Sequence, residues 1–426
     1  MSQDVLTTEC PAGTDADLVI REARRRQRRR RLVVGLVLAA LLAGAIGVAA
    51  GLTSRGRPPL SHPRPRSSAP ATRQQVLPPP IPRSVGTTVL LWPVVAHGEY
   101  PTFGPDQWPP AYVDDLATGR LSRRHKLAFA GGDFRPYLVR VGHWLVYVGG
   151  GGAMVIRDNL TGRPRVLGHT PFFAPAASPS HIWLERIHGY LAPGEQARVW
   201  RVSVRTGHRG PVIHLPRNSQ LVAGTGAGLL LDVLRGHDFS LALWRPGGVP
   251  RLLPYSPQSG SGLDASSRLV TYGTGCRYHD TVSNDSYSAC QVLRIYNVVT
   301  GRLLSFRAPP ATVGWLPLGI GITKAIAPGG RLVAAYAATL PLARSRGRLF
   351  VLRLGGTGGP PRAVPSSAAG ATLSARTAWS ADGSWLFYQG PGGHLWAYQA
   401  SRGRVRASGT PCCEYTVMTA FPSAHR

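Results

Sequence analysis

A strand ending in a Thr-Gly-Arg turn recurs through most of this chain, and it restricts the fold more than any other feature. It reads Ala-Tyr-Val-Asp-Asp-Leu-Ala-Thr-Gly-Arg at 111–120 and Met-Val-Ile-Arg-Asp-Asn-Leu-Thr-Gly-Arg at 154–163. It returns as Val-Trp-Arg-Val-Ser-Val-Arg-Thr-Gly-His at 199–208, more loosely as Leu-Ala-Leu-Trp-Arg-Pro-Gly-Gly at 241–248, and as Leu-Arg-Ile-Tyr-Asn-Val-Val-Thr-Gly-Arg at 293–302. Leu349 to Gly358 and Leu395 to Arg404 are degenerate copies. The turn glycines Gly119, Gly162, Gly207, Gly247, Gly301, Gly358 and Gly403 lie 40 to 57 residues apart, and glycine suits the positive φ of such hairpin turns.

A second element precedes many copies and reads strand, tight polar turn, strand. Ala378 to Phe387 is the clearest case, with Ile326 to Ala334 and Leu263 to Val270 as weaker ones. Two hairpins per period make a four-stranded unit, and a repeat of about 40–50 residues suits a β-propeller blade. From Ser84 onward, short Val/Leu/Ile/Tyr/Trp runs alternate with Gly, Pro, Ser and Asp, and no capped helical period appears. The expected fold is an all-β propeller over residues 84–421 with a short tail at 422–426. Seven blades are favoured; six or eight follow if ring closure borrows a strand from either end.

The Ser-Ala-Asp-Gly-x-x-Leu-Phe run at 380–387 and the downstream Leu395-Trp396-Ala397-Tyr398 with its turn resemble the WD40-like repeats of TolB-type propellers. The Gly-His and Trp-Asp pairs of true WD40 repeats are missing at their set places. The resemblance implies a propeller that binds something, and it carries no catalytic residue across.

Ahead of the repeats, eight arginines fall within Arg21 to Arg31, and a 21-residue apolar run without charge or proline, Leu32 to Leu52, follows at once. At ~1.5 Å rise per residue such a helix is about 31 Å long, the thickness of a bilayer's hydrocarbon core. Positive charge on the N-terminal flank predicts residues 1–31 in the cytoplasm, 32–52 across the membrane and the rest outside. Arg24, Arg25, Arg26, Arg28, Arg29, Arg30 and Arg31 would then lie against anionic headgroups. Two rival readings are a cleaved export signal, including a loose twin-arginine match at Arg29-Arg30, and a nucleic-acid patch. Ala43, Gly47 and Gly51 share one helix face, a small-residue spacing that permits a homodimer in lipid. Residues 53–83 hold nine prolines and no aromatic residue, so they read as an extended, disordered spacer of up to about 95 Å.

Of 49 basic residues only Lys126 and Lys324 are lysine, and Gly and Pro are abundant. That usage matches a GC-rich genome, such as a high-GC actinobacterium. Residues 84–426 carry 35 basic against 15 acidic residues, which favours anionic partners or simply aids solubility. No basic-aromatic run resembles a nucleic-acid module, so nucleic acid is not an expected partner.

Cys10 falls on the cytoplasmic side. Cys276 and Cys290 bracket a polar loop, Arg277 to Ala289, between strand-like runs at Arg268–Tyr272 and Gln291–Tyr296. A disulfide there would pin a hairpin, worth about 3 kcal/mol for a loop near 15 residues. Adjacent Cys412 and Cys413 would form a strained vicinal bond, stay free or pair elsewhere. No Cys/His spacing suits zinc, and no cofactor motif, nucleophile elbow or phosphate loop is present.

The chain is therefore expected to be a binding or scaffold module for a protein or an anionic envelope polymer, not an enzyme. Arg277, Tyr278 and His279 are the candidate contact residues, and the Pro341–Gly347 region is a second insertion. Sensing through a partner protein and a propeller enzyme acting on envelope glycans are the alternatives. His237-Asp238, His279-Asp280 and Asp114-Asp115 read as turn or strand-edge groups, and the sequons at Asn159 and Asn284 as coincidence.

Overall fold

The computed structural model describes residues 78–422 apart from 94–110, 119, 125–137, 149–152, 159–162, 170–171, 187–195, 236–237, 256–263, 281–285, 311, 317–324, 339–346, 356–358, 366–376, 391–393 and 409–414. The arginine cluster, the apolar run, Ala43, Gly47, Gly51, most of the proline-rich segment, Cys412 and Cys413 lie outside the described residues. None of the described residues forms a helix long and apolar enough to cross a membrane. The described residues all belong to one compact unit, Val76–Arg426.

It is all-β, built of antiparallel sheets taken up in chain order. β4 (Leu138–Val141), β5 (Trp144–Val148), β6 (Ala153–Asp158) and β7 (Pro164–His169) form one sheet. β8 (Phe172–Pro175) to β11 (Arg209–His214), with β9 (His181–Arg186) and β10 (Arg198–Ser203) between them, form another. β12 (Ser219–Thr225), β13 (Gly228–Arg235), β14 (Asp238–Trp244) and β15 (Arg251–Leu252) follow, and β24 (Thr377–Trp379), β25 (Trp385–Gln389), β26 (Leu395–Gln399) and β27 (Arg404–Ala407) repeat the pattern.

An eight-stranded sheet lies between these last two. It contains β16 (Asp264–Ala265), β17 (Leu269–Asp280), β18 (Ser286–Asn297), β19 (Leu303–Arg307), β20 (Gly314–Leu316), β21 (Leu332–Ala338), β22 (Gly347–Arg353) and β23 (Arg362–Ala363). A single pair, Cys290 opposite Trp315, joins its halves. The remaining sheet combines both ends of the unit: β1 (Thr87–Pro93), β2 (Ala111–Asp115) and β3 (Arg120–Arg124) accept β28 (Tyr415–Pro422) alongside β1.

The repeated sequence falls on β2, β6, β10, β14, β18, β22 and β26, each the strand before the last in its set of four. Its turn is stabilised by one polar side chain at a fixed place. Asp115 Oδ1 accepts from Ala117 N–H (3.2 Å), Ser203 Oγ from Thr206 N–H (3.2 Å), and Asn297 Oδ1 from the N–H groups of Val299 and Thr300 (3.0 Å each). Gly207, Gly301 and Gly403 then take φ of 77°, 73° and 66°, a region that costs a residue with a Cβ.

The inner strands bury both faces, because they are apolar on alternate positions and on the intervening ones too, while outer strands such as β11 and β15 are largely exposed. Val139, Ile156, Phe173 and Leu184 pack β4–β7 against β8–β11, and Leu230, Leu243, Val270 and Tyr272 pack β12–β15 against β16–β19. Tyr336, Leu349, Tyr388 and Trp396 fill the seam before β24–β27, while Val89, Leu91, Phe387 and Ala397 fill the one after it. Some polar side chains find a partner across these seams, while Trp200 Nε1 and Trp396 Nε1 are buried without one among the described residues. The Tyr272 hydroxyl donates to the Pro254 carbonyl (2.7 Å), the Tyr388 hydroxyl to that of Pro365 (3.4 Å), and Trp379 Nε1–H to that of Ala325 (3.0 Å).

The folded unit begins before Ser84. Ile81 N–H donates to the Ala407 carbonyl, Ala407 N–H donates to that of Pro79 (both 3.1 Å), and Ile81 is buried. The end of the proline-rich segment is thus an edge partner of β27, a place where proline's missing N–H does no harm.

Acids are buried at the seams as well. Glu185 on β9, 1% exposed, accepts from Leu221 N–H of the next sheet at 3.1 Å. Burial lifts its carboxyl to about 7, against the opposing effect of that hydrogen bond. Asp114 on β2 accepts from Ser408 Oγ at 2.9 Å across the closing seam. Burial lifts it to about 6; the Ser408 bond opposes the rise and the charge of Asp115 adds to it. Asp232 on β13 is raised by burial to about 6.

A carboxyl raised in the folded state stabilises the fold below its unfolded pKa, and that contribution is lost as pH climbs through the folded value. Glu185→Gln keeps the acceptor and cannot ionise. Denaturant titration should find the variant equal to the parent near pH 4 and more stable by on the order of 3 kcal/mol above pH 7. Parallel pH profiles for the two proteins would show that Glu185 stays ionised in the fold.

Candidate functional site

The longest pair of strands in the unit, β17 and β18, runs well past its neighbours. β16 pairs with β17 only at Val270 and Thr271, β19 reaches β18 only as far as Val292, and β20 meets it at Cys290 alone. Beyond that point Arg277↔Ala289, Tyr278↔Ser288, His279↔Tyr287 and Asp280↔Ser286 pair with each other and with no other described strand. Arg277, Tyr278 and His279, expected in a loop, are therefore strand residues of a two-stranded ribbon. The run from Arg277 to Ser288 reads as loop because it is polar and shows no apolar alternation.

Cys276 and Cys290 stand directly opposite each other and are disulfide-bonded, with Cα atoms 3.8 Å apart. The bond sits at the ribbon's root, not at the base of a loop. Cys290 is fully buried and packs against Trp315, whose Nε1–H donates to the Phe306 carbonyl at 2.9 Å. Gly273 makes room for it: a Cβ at 273 would lie 2.3 Å from Cys290 Sγ and 2.7 Å from its Cβ. The disulfide is thus wedged into the sheet, and the ribbon grows from a fixed base.

One face of that base carries an exposed cation–aromatic pair. Arg294 on β18 donates to Ser305 Oγ (2.6 Å) and Thr274 Oγ1 (3.3 Å), and its guanidinium lies 4.1 Å over the ring of Tyr255. Tyr255 is 66% exposed and holds φ at 53°, unusual for an aromatic residue. The neighbouring Pro254 carbonyl is the acceptor for Tyr272. That bond and the ring stacking together account for a Tyr held in this conformation. Sequence reasoning did not single out Tyr255 or Arg294; the Pro254-Tyr255 step after an outer strand was the available signal.

The other candidates do not converge. Asp115 serves its turn and Asp114 is buried in a seam, which corrects the reading of Asp114 as a turn or strand-edge group. Asp238 starts β14; His237, Asn159, Asn284 and residues 341–346 lie outside the described residues. Glu185 and Asp232, missed beforehand, were visible as acids within apolar strands. Ser178 and Ser180 share His181 Nδ1 (3.2 and 2.9 Å), and burial, with Arg201 nearby, lowers the pKa of this histidine. The described residues include no group of three or more His, Cys, Asp or Glu placed to hold a metal ion.

The turns that join first to second strands touch from sheet to sheet. Gly226 N–H donates to the Ser267 carbonyl at 2.6 Å, and a Cβ on Gly383 would meet the Pro328 carbonyl. These turns thus share one end of the sheets, and the β17–β18 ribbon projects from the other.

No protein-family model matches the chain, and no curated protein matches it. Solved structures do. An oligogalacturonate lyase in complex with manganese is 13% identical at a TM-score of 0.41, over 73% of this chain and 84% of its own. A chain of the mitotic checkpoint complex is 13% identical at 0.39, over 83% and 98%. The acylaminoacyl peptidase of Pyrococcus horikoshii is 11% identical at 0.41, over 71% of this chain and about half (48%) of its own. At these identities and TM-scores the likeness transfers no residue, substrate or activity. Two of these proteins are enzymes, so the expectation that this chain is not an enzyme does not stand, and at these TM-scores the likeness assigns it no activity.

Proposed function

We propose that the chain is a single-pass membrane protein whose propeller stands outside the membrane on the segment 53–83 and binds a protein or anionic envelope partner through the Cys276–Cys290 ribbon. The observation that carries this reading is the ribbon itself: two strands freed from the sheet, fixed at the root by a disulfide and bearing the exposed Arg277. Beyond Cys276 and Cys290 the two strands pair with no other described strand, so their outer edges offer groups to which a partner strand can add.

The anchor rests on Arg21–Leu52 and the positive-inside rule. An exterior location is further supported by the disulfide, since such bonds persist in oxidising compartments. Seven blades follow if the eight-stranded sheet is read as two sets of four meeting at Cys290–Trp315, and if β28 completes the set begun by β1–β3. The Ser-Ala-Asp-Gly turn at 380–383 favours the TolB type of repeat.

Topology and binding are tested separately. Protease added to intact spheroplasts should remove the repeats and leave an N-terminal tag protected; a tag absent from mature protein defeats the anchor. A photo-crosslinking residue at position 277 should give a discrete envelope adduct that a probe at the exposed turn residue Thr206 does not. Cys276→Ser with Cys290→Ser should abolish that adduct and lower stability by about 3 kcal/mol in denaturant titration. Equal labelling from positions 277 and 206 would remove the ribbon from the binding site.

A further inference from the structure

The segment that leads into β1 walls a cleft at the end of the sheets opposite the ribbon. Residues 82–87 lie across from the β24–β25 turn and the β26–β27 turn, enclosing about 480 Å³. Ser84 and Val85 line one side, and Asp382, Gln399, Arg402 and Arg406 the other, with the buried Trp385 also in the lining. The position of the segment is set by Ile81, which is paired to Ala407 and packed among Val89, Phe387 and Ala397. The cleft is therefore part of the folded unit.

Its charge is unbalanced. Arg402 comes from the β26–β27 turn and Arg406 from β27, and neither guanidinium has a hydrogen-bond or ion-pair partner among the described residues. Asp382 is the single acid in the lining, and it is engaged elsewhere. Its Oδ1 accepts from Ser380 Oγ (2.5 Å) and Ser384 N–H (3.1 Å), and its Oδ2 from Ser384 Oγ (2.7 Å). Burial works against the Asp382 anion, but the bonds from Ser380 and Ser384 outweigh it and hold the carboxyl below its ordinary value. The carboxylate is thus bound into its own turn and leaves both arginines to face the cavity.

We propose that this cleft binds a phosphate ester, with Arg402 and Arg406 gripping the oxyanion. Two guanidiniums offer forked donors that match phosphate oxygens and supply two positive charges to a group carrying one or two negative ones. The volume exceeds that of a bare phosphate, since liquid water occupies only about 30 Å³ per molecule. Val85 and Trp385 supply apolar wall for the esterified part. The same chemistry is found in soluble phosphate esters and in the headgroups of anionic lipids.

The test is calorimetric titration of the full chain in uncharged detergent with inorganic phosphate, glycerol phosphate and short-chain phosphatidylglycerol. Saturable binding of an ester is expected, weakening with added salt. Arg402→Gln and Arg406→Gln should each weaken it about tenfold, as loss of a charge-assisted bond implies. Arg404→Gln, on the same strand but outside the lining, should leave it unchanged. Thermal midpoints without ligand report whether the variants fold, and the single substitutions decide if the double one does not. Tighter binding of phosphatidylglycerol than of glycerol phosphate assigns the site to a lipid headgroup, and the reverse to a soluble ester. No saturable heat with any of the three ligands, or binding indifferent to both arginines, overturns the proposal.

Discussion

The inner strands of these sheets are apolar on both faces, and that constraint shapes everything else. A sheet with one wet face can rest on a single neighbour; one with two dry faces needs a neighbour on each side. Val333 and Ala335 on β21 pack towards β16–β19, while Ala334 and Tyr336 on the same strand pack towards β24–β27. Alternate residues of one short strand thus belong to different cores. An open stack would leave its first and last sheets half exposed. The pairing of β28 with β1, seven register positions long, binds the end of the unit to its beginning, so stability is shared among seams and not held in one centre.

Much of this was legible beforehand. The Thr-Gly-Arg repeat marks third strands because the turn chemistry at Asp115, Ser203 and Asn297 is local and survives in the text. The Ser380–Ser384 turn is local too, and it falls where expected between β24 and β25. What could not be read depends on distant partners. β28 lies after the last repeat, and its place beside β1 is set by a strand some 320 residues earlier. The three residues of β20 are too few to carry a period. Ile81 is masked by the prolines around it, although its burial is what begins the fold. The ribbon's strands read as loop for the opposite reason: the run from Arg277 to Ser288 is polar and has no hydrophobic pattern to show.

The two ends of the unit differ in kind. At the turn end, adjacent sheets lock through backbone contacts such as Gly226 with Ser267, and the entering segment adds a wall of its own. At the other end a ribbon stands clear of the sheet, held by a disulfide packed where Gly273 leaves room for sulfur. A rigid base of this sort limits the entropy lost when a projecting element is captured. The Arg294–Tyr255 pair adds an exposed aromatic surface beside that base, and aromatic residues backed by an ordered cation are effective contact groups.

The closing pair also dictates an order of events. β1 is made early and its partner β28 last, so one edge of Val89-Leu90-Leu91 has no native neighbour while the intervening chain is synthesised. At ~5–20 residues per second that interval is on the order of tens of seconds. An apolar strand with an open edge is a template for wrong pairing, and Pro93, at its end, cannot donate to one. A protein built this way depends on whatever shields β1 until the far end of the chain arrives.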